Sequence, residues 1–245
     1  MRFSILLPTL LMLAAFTNSS PKPVTFSASD GAKAYGEFYS TGDRNKPIIL
    51  LFHMFGSNSG EYSSIAPKLV QAGFNALAAD LRGGGRLWGK TNRTVANSRE
   101  KSGSRPKEIA LKDMEGSVRW AQANNSGPVI VWGSSYSASL VFLLAAEHPE
   151  IRGLLAFSPG EYFGGKTVHE AAENVHCAVF LTSANTPEEE AEAKSIFESV
   201  PSKNKTLYVP GGPSVHGSST LREDRNPPGA DANWRAVNQF LAQLH

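Results

Sequence analysis

The chain has 245 residues, 41% hydrophobic and 19% charged, with 22 glycines and 15 prolines; this globular composition excludes disordered, collagen-like and coiled-coil classes. Twenty-four basic against 22 acidic side chains leave a net charge of +2, too balanced for a duplex-binding footprint, so nucleic acid is not expected as a partner. The single cysteine, Cys177, has no partner for an intramolecular disulfide, and no ligand-like spacing suggests a zinc site, so stability must come from burial.

At the N-terminus Arg2 precedes an apolar run over residues 5–16, followed by Thr17, Asn18, Ser19 and Ser20. A basic residue, about a dozen apolar ones and a small polar stretch read as a secretory signal peptide over 1–20, cleaved near Ser19 or Ser20. The run is short of the roughly 20 residues that span a bilayer, so no stable membrane insertion is expected. The mature part, 21–245, is then a single exported domain, periplasmic or secreted. From Val24 to Tyr39 the residues alternate loosely about Asp30-Gly31, the signal of an antiparallel hairpin. Apolar runs follow at 48–52, 76–79, 129–132, 154–157, 178–181 and 207–209, too continuous for strands exposed on one side. Helical periodicity covers 61–71, 107–123, 137–147, 187–199 and 231–244. Strands and helices in alternation, joined by right-handed crossovers, predict an α/β fold: a doubly wound, mostly parallel sheet with helices on both faces. Two irregular stretches interrupt the pattern, one over 83–106 that opens with Gly83-Gly84-Gly85 and a shorter one over 161–176. The second is too short for a large lid.

The segment Val129-Ile-Val-Trp-Gly133-Ser134-Ser135-Tyr136-Ser137 runs a buried strand into a helix with a serine in the turn. Here the sequence resembles the α/β-hydrolase superfamily, whose nucleophile elbow reads G-x-S-x-G and lifts the serine hydroxyl clear of the sheet. Ser137 stands where the second glycine would be. Ser135 is the candidate nucleophile. A base must reach it in space, and His216, in Pro210-Gly-Gly-Pro-Ser-Val-His216-Gly217, follows the last strand as the superfamily's histidine loop does. His53, in His53-Met54-Phe55-Gly56, resembles the family's H-G loop, where the histidine is structural. His148 reads as the end of a helix, His169 and His176 fall in the short irregular stretch, and His245 is terminal.

The resemblance implies an oxyanion hole formed by the N–H of Tyr136 and that of Phe55 or Met54, methionine replacing the usual glycine at 54. For the acid that orients the histidine, the family's usual aspartate is missing. Glu161, after the sixth strand of the family's order, is the first candidate; Glu188, in Pro187-Glu188-Glu189-Glu190, is the alternative, although that run is also an ordinary helix first turn. Asn185, Asp224 or no acid at all stay open.

Asp80-Leu81-Arg82-Gly83 resembles a family segment in which Asp and Arg brace loops. Residues 82–107 carry eight basic side chains against Glu100 alone, which would favour an anionic substrate if the stretch overhangs the site. Trp88, Tyr62, Tyr162 and Phe163 are candidates for lining an acyl or aromatic pocket. The compact, dienelactone-hydrolase-like pattern implies a serine hydrolase that cleaves a small-molecule carboxylic ester or lactone through an acyl-enzyme. That chemistry requires no metal or organic cofactor. Two other readings are a hydrolase fold that has lost catalysis and binds a ligand, and a peptidase. Nothing in the sequence indicates a protein partner.

Overall fold

The computed structural model describes residues 20–98 and 107–245, so residues 1–19 of the expected signal peptide and 99–106 of the basic stretch lie outside it. In chain order the elements are β1 (Lys22–Ser27), β2 (Lys33–Tyr39), β3 (Ile48–Phe52), α1 (Ala66–Gln71), β4 (Asn75–Asp80), β5 (Arg86–Leu87), β6 (Lys90–Thr91), α2 (Arg93–Asn97), α3 (Lys107–Asn124), β7 (Val129–Ser134), α4 (Tyr136–Glu147), β8 (Ile151–Phe157), α5 (Thr167–Ala172), β9 (Ala178–Thr182), α6 (Pro187–Ser199), β10 (Lys205–Tyr208) and α7 (Ala230–Leu241).

Eight strands form one sheet in the order β1-β2-β4-β3-β7-β8-β9-β10. β1 and β2 form the antiparallel hairpin, β2 meets β4 antiparallel, and every pairing from β4 onward is parallel. The hairpin turns at Gly31, whose φ of +82° only glycine takes without strain. Each central strand divides its apolar residues between the two faces of the sheet. Ile48, Leu50 and Phe52 join Val131, Leu154 and Ala156 in one core with α3, α4, α5 and α6. Ile49, Leu51, Ile130, Trp132, Leu155 and Phe157 pack on α1 and α7. That division explains why the runs read as continuous.

Three segments differ from the sequence reading. The expected helix at 61–71 is a 3-10 turn, Ser59–Tyr62, and a short α1, because Pro67 sits at the start of a new helix. Residues 86–97, expected to be irregular, hold the small β5–β6 hairpin and α2, capped by the Asn92 side chain on the Val95 N–H. Val209, placed in the last strand, is exposed just beyond it. Between β8 and β9 the described residues hold only the short α5, as expected of a fold without a large lid.

The bracing expected of Asp80 and Arg82 is present. Asp80 accepts the N–H groups of Ser59 and Arg93, both at 2.8 Å. Arg82 bonds Asp113 at 2.9 Å and Asp30 at 2.8 Å, tying the loop after β4 to α3 and to the hairpin turn.

At the β7–α4 junction the chain reverses within one residue. Ser135 has φ +54° and ψ −122°, left-handed space that a side chain disfavours. Gly133 makes the reversal possible, since a Cβ there would lie 2.2 Å from the Ser137 carbonyl oxygen. Such a conformation costs about 1–3 kcal/mol in a residue with a side chain. Glycine relieves that strain but loses about 0.5–1 kcal/mol to its freer unfolded chain. Ser135→Gly is therefore expected to be more stable than Ser135→Ala by about 1–2 kcal/mol in urea unfolding; equal stabilities would show that the turn is unstrained.

Candidate active site

The carboxyl ends of β3, β7, β8, β9 and β10 converge on one rim of the sheet, where ligands bind in open α/β folds. The reversed turn raises the Ser135 hydroxyl there, and its own N–H is fixed by a 2.8 Å bond to the Phe157 carbonyl on the neighbouring strand. His216, on the loop after β10, places Nε2 2.7 Å from Ser135 Oγ. Its Nδ1 lies 2.9 Å from Oε1 of Glu189. A carboxylate only accepts, so Nδ1 carries the proton and Nε2 presents its lone pair to the serine hydroxyl.

The carboxylate that meets His216 is thus neither residue expected from the sequence. Glu161 does lie after β8, but its carboxylate is taken up by the Val168 and His169 N–H groups and by the His169 ring at 2.6 Å. His169 reaches on to Ser195 at 2.9 Å, forming a second serine–histidine–carboxylate array. Ser195 stands within α6 rather than on a reversed turn, and the helix consumes its N–H groups, so this array has no oxyanion site and serves to brace α5 against α6. Glu188 is exposed on the first turn of α6. Successive helical residues point about 100° apart, and α6 turns Glu189 rather than Glu188 toward the histidine. Asn185 accepts the Ser214 N–H, and Asp224 pairs with Arg222. No local signal separated Glu189 from its neighbours except the spacing Thr186-x-x-Glu189, a capping-box pattern in which Thr186 accepts the Glu189 N–H. The carboxylate reaches back to the Ala184 N–H at 3.1 Å instead of closing the box.

Burial pushes the Glu189 carboxyl up, but bonds from His216, the Ser158 hydroxyl and the Ala184 N–H outweigh it and pull the carboxyl down to about 2. Glu189 in turn holds the imidazole of His216 above its usual 6.5, by hydrogen bond first and by charge second, against partial burial; the charge of Glu61 adds to the rise. Ser158 is a further residue with positive φ, +57°, at the end of β8. Its hydroxyl also accepts the Gly217 N–H at 3.0 Å, so it holds the acid and the histidine loop together. The sequence reading passed over Ser158.

The three N–H groups expected as oxyanion donors differ in whether they are already bonded. Among the described residues neither the Tyr136 nor the Phe55 N–H takes part in a hydrogen bond, and both sit at this rim. Met54 must be removed from the set, because its N–H is bonded to the Glu61 carboxylate at 2.9 Å. The Ser137 hydroxyl donates to the His53 carbonyl at 2.6 Å, clamping α4 to the loop after β3. His53 has the structural role expected: Nε2 accepts the Leu81 N–H, Nδ1 donates to the Met54 carbonyl, and burial holds the ring neutral.

Phe55 and Tyr162, each 47% exposed, flank Tyr136 at ring-centroid distances of 5.5 and 6.3 Å. The Tyr162 hydroxyl donates to the Ser158 carbonyl at 3.3 Å. Phe163 packs edge-on against Tyr136. Tyr62 is fully buried and cannot line a pocket, and Trp88 is sandwiched between Arg222 and Arg225. In the described part of the basic stretch Arg82, Lys90 and Arg93 pair with Asp113, Glu37 and Asp80, while Arg86 is exposed. No group of three or more His, Cys, Asp or Glu side chains among the described residues is placed to hold a metal ion.

Residues 43–162 match the hydrolase family described as serine aminopeptidase, S33. No curated protein sequence matches the chain significantly. Among solved structures, the esterase Pf2001 of Pyrococcus furiosus is 19% identical with a TM-score of 0.69, over 92% of this chain and 93% of that one. A dienelactone hydrolase from Anabaena variabilis is 17% identical with a TM-score of 0.70, over 91% and 98%. Est1E from Butyrivibrio proteoclasticus, solved with ferulic acid bound, is 16% identical with a TM-score of 0.68, over 90% and 99%. These likenesses extend along nearly all of each chain, and with the sheet order they show that the protein has the α/β-hydrolase fold.

Proposed function

We propose that the protein is a serine hydrolase that cleaves carboxylic esters or lactones through an acyl-enzyme. One observation carries this reading: the unbroken relay from Ser135 through His216 to Glu189 on a reversed turn, with two unpartnered N–H groups at the same rim. His216 Nε2 takes the Ser135 proton as the alkoxide attacks the carbonyl carbon. The Tyr136 and Phe55 N–H groups receive the oxyanion, each worth about 3 kcal/mol in the transition state. His216 then returns its proton to the leaving alcohol. A water deprotonated by the same nitrogen attacks the acyl-enzyme, and its proton goes to Ser135 as the acid departs. Glu189 stays ionised and holds the imidazole in the tautomer that both transfers need. No metal or organic cofactor enters these steps.

The exposed faces of Phe55 and Tyr162 favour an apolar substituent on the ester rather than the anionic one expected if the basic stretch overhung the site. Esterases and a dienelactone hydrolase among the structural neighbours agree with ester chemistry. The family description favours a second reading, a peptidase, because the same relay cleaves amides. Comparable turnover of a peptide anilide and p-nitrophenyl acetate would establish it. The N-terminal segment supports export to the periplasm or medium, and no helix among the described residues is long and apolar enough to cross a membrane. A mature mass beginning near Ser19 or Ser20 is the expected result, and an intact Met1 in exported protein would reject it.

A fluorophosphonate probe is expected to label the wild type and not Ser135→Ala; a folded wild type that stays unlabelled would favour the binding-protein alternative. Glu189→Gln is expected to lower kcat by about 10³–10⁴-fold. It also shifts the pH profile in a direction fixed by the charges. His216 works only when neutral, so kcat/KM falls as pH drops through its raised pKa. Without Glu189 that fall moves to lower pH. Glu188→Gln, an exposed change, is expected to leave kcat within about three-fold, and Glu161→Gln to loosen the α5–α6 brace without a loss of kcat like that of Glu189→Gln; such a loss in either would reassign the acid.

A further inference from the structure

Beneath the relay lies an ionisable group that the hydrolytic steps do not use. Glu61, fully buried in the 3-10 turn after β3, accepts the Met54 N–H at 2.9 Å on Oε2 and the Ser134 hydroxyl at 2.5 Å on Oε1. The Ser57 hydroxyl bonds the same carboxyl. Ser134 Oγ itself accepts the Ser218 N–H at 2.9 Å, and Ser57 Oγ accepts the Trp88 indole N–H at 2.8 Å. Each hydroxyl accepts there and keeps a proton that it can donate to the carboxyl. Burial pushes the Glu61 carboxyl up, against the bonds from Ser134, Met54 and Ser57 and the charge of Arg222; the Met54 N–H can only donate to it, and the 2.5 Å contact with Ser134 is of the length of an O–H···O⁻ bond.

These partners lie on the segments that make the site. Met54 precedes the Phe55 donor, Ser134 precedes the nucleophile, and Ser218 follows His216 by two residues. Gly217 closes the seam, for a Cβ there would lie 2.5 Å from Ser134 Oγ. The charged and titratable groups facing Glu61 are Arg222, which donates to the Glu61 main-chain carbonyl at 2.8 Å and pairs with Asp224, the Tyr62 hydroxyl, which donates to the Phe52 carbonyl, and His216. His216 is faced on its other side by Glu189. A seam that served packing alone could be apolar, with no buried charge to desolvate.

We propose that Glu61 is a positioning residue of the hydrolytic site: its buried carboxylate turns the Met54 N–H away from the reacting carbonyl, leaves the Phe55 N–H as that loop's oxyanion donor, and fixes the nucleophile turn and histidine loop against one another. The proposal rests on the serine-hydrolase reading above. Because the carboxylate also favours the protonated imidazole of His216, its removal leaves a signature that loosened packing does not.

The test compares wild type, Glu61→Gln and Glu61→Asp by pH-resolved hydrolysis of p-nitrophenyl acetate and by fluorophosphonate labelling. Loss of one oxyanion donor costs about 10²–10³-fold, so Glu61→Gln is expected to lower kcat by about 10²-fold or more while KM stays within about three-fold. The acid limb of kcat/KM moves to lower pH, and Ser135 is still labelled, more slowly. Glu61→Asp keeps the charge, so its limb stays at the wild-type position and part of the rate returns. Wild-type kcat and limb in Glu61→Gln overturn the proposal; so does an unmoved limb with a lower unfolding midpoint, which makes Glu61 a core residue only. If Glu61→Gln does not fold, Glu61→Asp decides: a ten-fold or larger fall in kcat with KM within about three-fold and a wild-type unfolding midpoint supports the proposal, whereas wild-type kcat, or a fall that comes with a lower midpoint, overturns it. An unlabelled wild type sinks the hydrolase reading itself, whereas a labelled wild type with an indifferent Glu61→Gln sinks only this inference.

Discussion

The backbone at Ser135 is held where a side chain does not rest of its own accord, and the geometry of the site follows from that restraint. With φ +54° and ψ −122° the residue ends β7 and starts α4 without an intervening loop, so its hydroxyl stands above the sheet. The conformation persists because its surroundings over-determine it. Gly133 lets the Ser137 main chain fold over it, the Ser135 N–H is spent on the next strand, and the Ser137 hydroxyl pins α4 to the loop after β3. Ser158 repeats the device one strand over, also at positive φ, and there the side chain holds the acid and the histidine loop instead of attacking. Two reversed residues at the ends of adjacent parallel strands thus set the two ends of the relay, and the shared apolar core beneath them carries the strain.

Charge is arranged on the same principle of fixed partners. Glu189 and Glu61 both act on His216, from environments that push their carboxyl groups in opposite directions. Glu189 is partly open and bonded by three donors, which outweigh burial and bring it to about 2. Glu61 is sealed, and burial pushes its carboxyl up against the bonds from Ser134, Met54 and Ser57 and the charge of Arg222. The imidazole between them gains its proton more readily than a free histidine. His53, at the same rim, is driven the other way by burial and stays neutral, holding loops and moving no proton.

How far the letters alone carried depends on whether the determining contact is local. Continuous apolar runs told of strands covered on both sides, and the two cores bear that out residue by residue. Ser135 and His216 could be named together because the strand-to-helix turn and the loop after the last strand resemble the α/β-hydrolase elbow and histidine loop, and the structure brings the two side chains within 2.7 Å. Glu189 was not. Three successive glutamates suit a helix N-terminus equally, and only the rotation of α6 against β9, a tertiary fact, selects the middle one. Glu161 was in a suitable place by chain order but is captured by His169, brought round by a helix of six residues that the sequence showed only as an interruption. Glu61 read as the opening of a helix, since nothing in Ser59-Gly60-Glu61-Tyr62 says that its side chain turns inward. The choice between Phe55 and Met54 likewise depended on that hidden carboxylate.

The two departures from the family pattern, methionine at 54 and serine at 137, each have a local physical reason. A small residue at 137 is required where α4 crosses Gly133; serine satisfies the steric demand and adds a hydroxyl that clamps the oxyanion loop. Methionine at 54 removes the freedom of glycine, but its N–H has been assigned to Glu61, so the position is not asked to donate to a substrate. Strain at Ser135, strain at Ser158 and a desolvated carboxylate at Glu61 are each unfavourable alone and all meet within one rim. Features that cost stability and converge on two N–H groups unpartnered among the described residues and on the Ser135 hydroxyl are not what folding alone calls for, which an apolar seam and an ordinary turn would serve better.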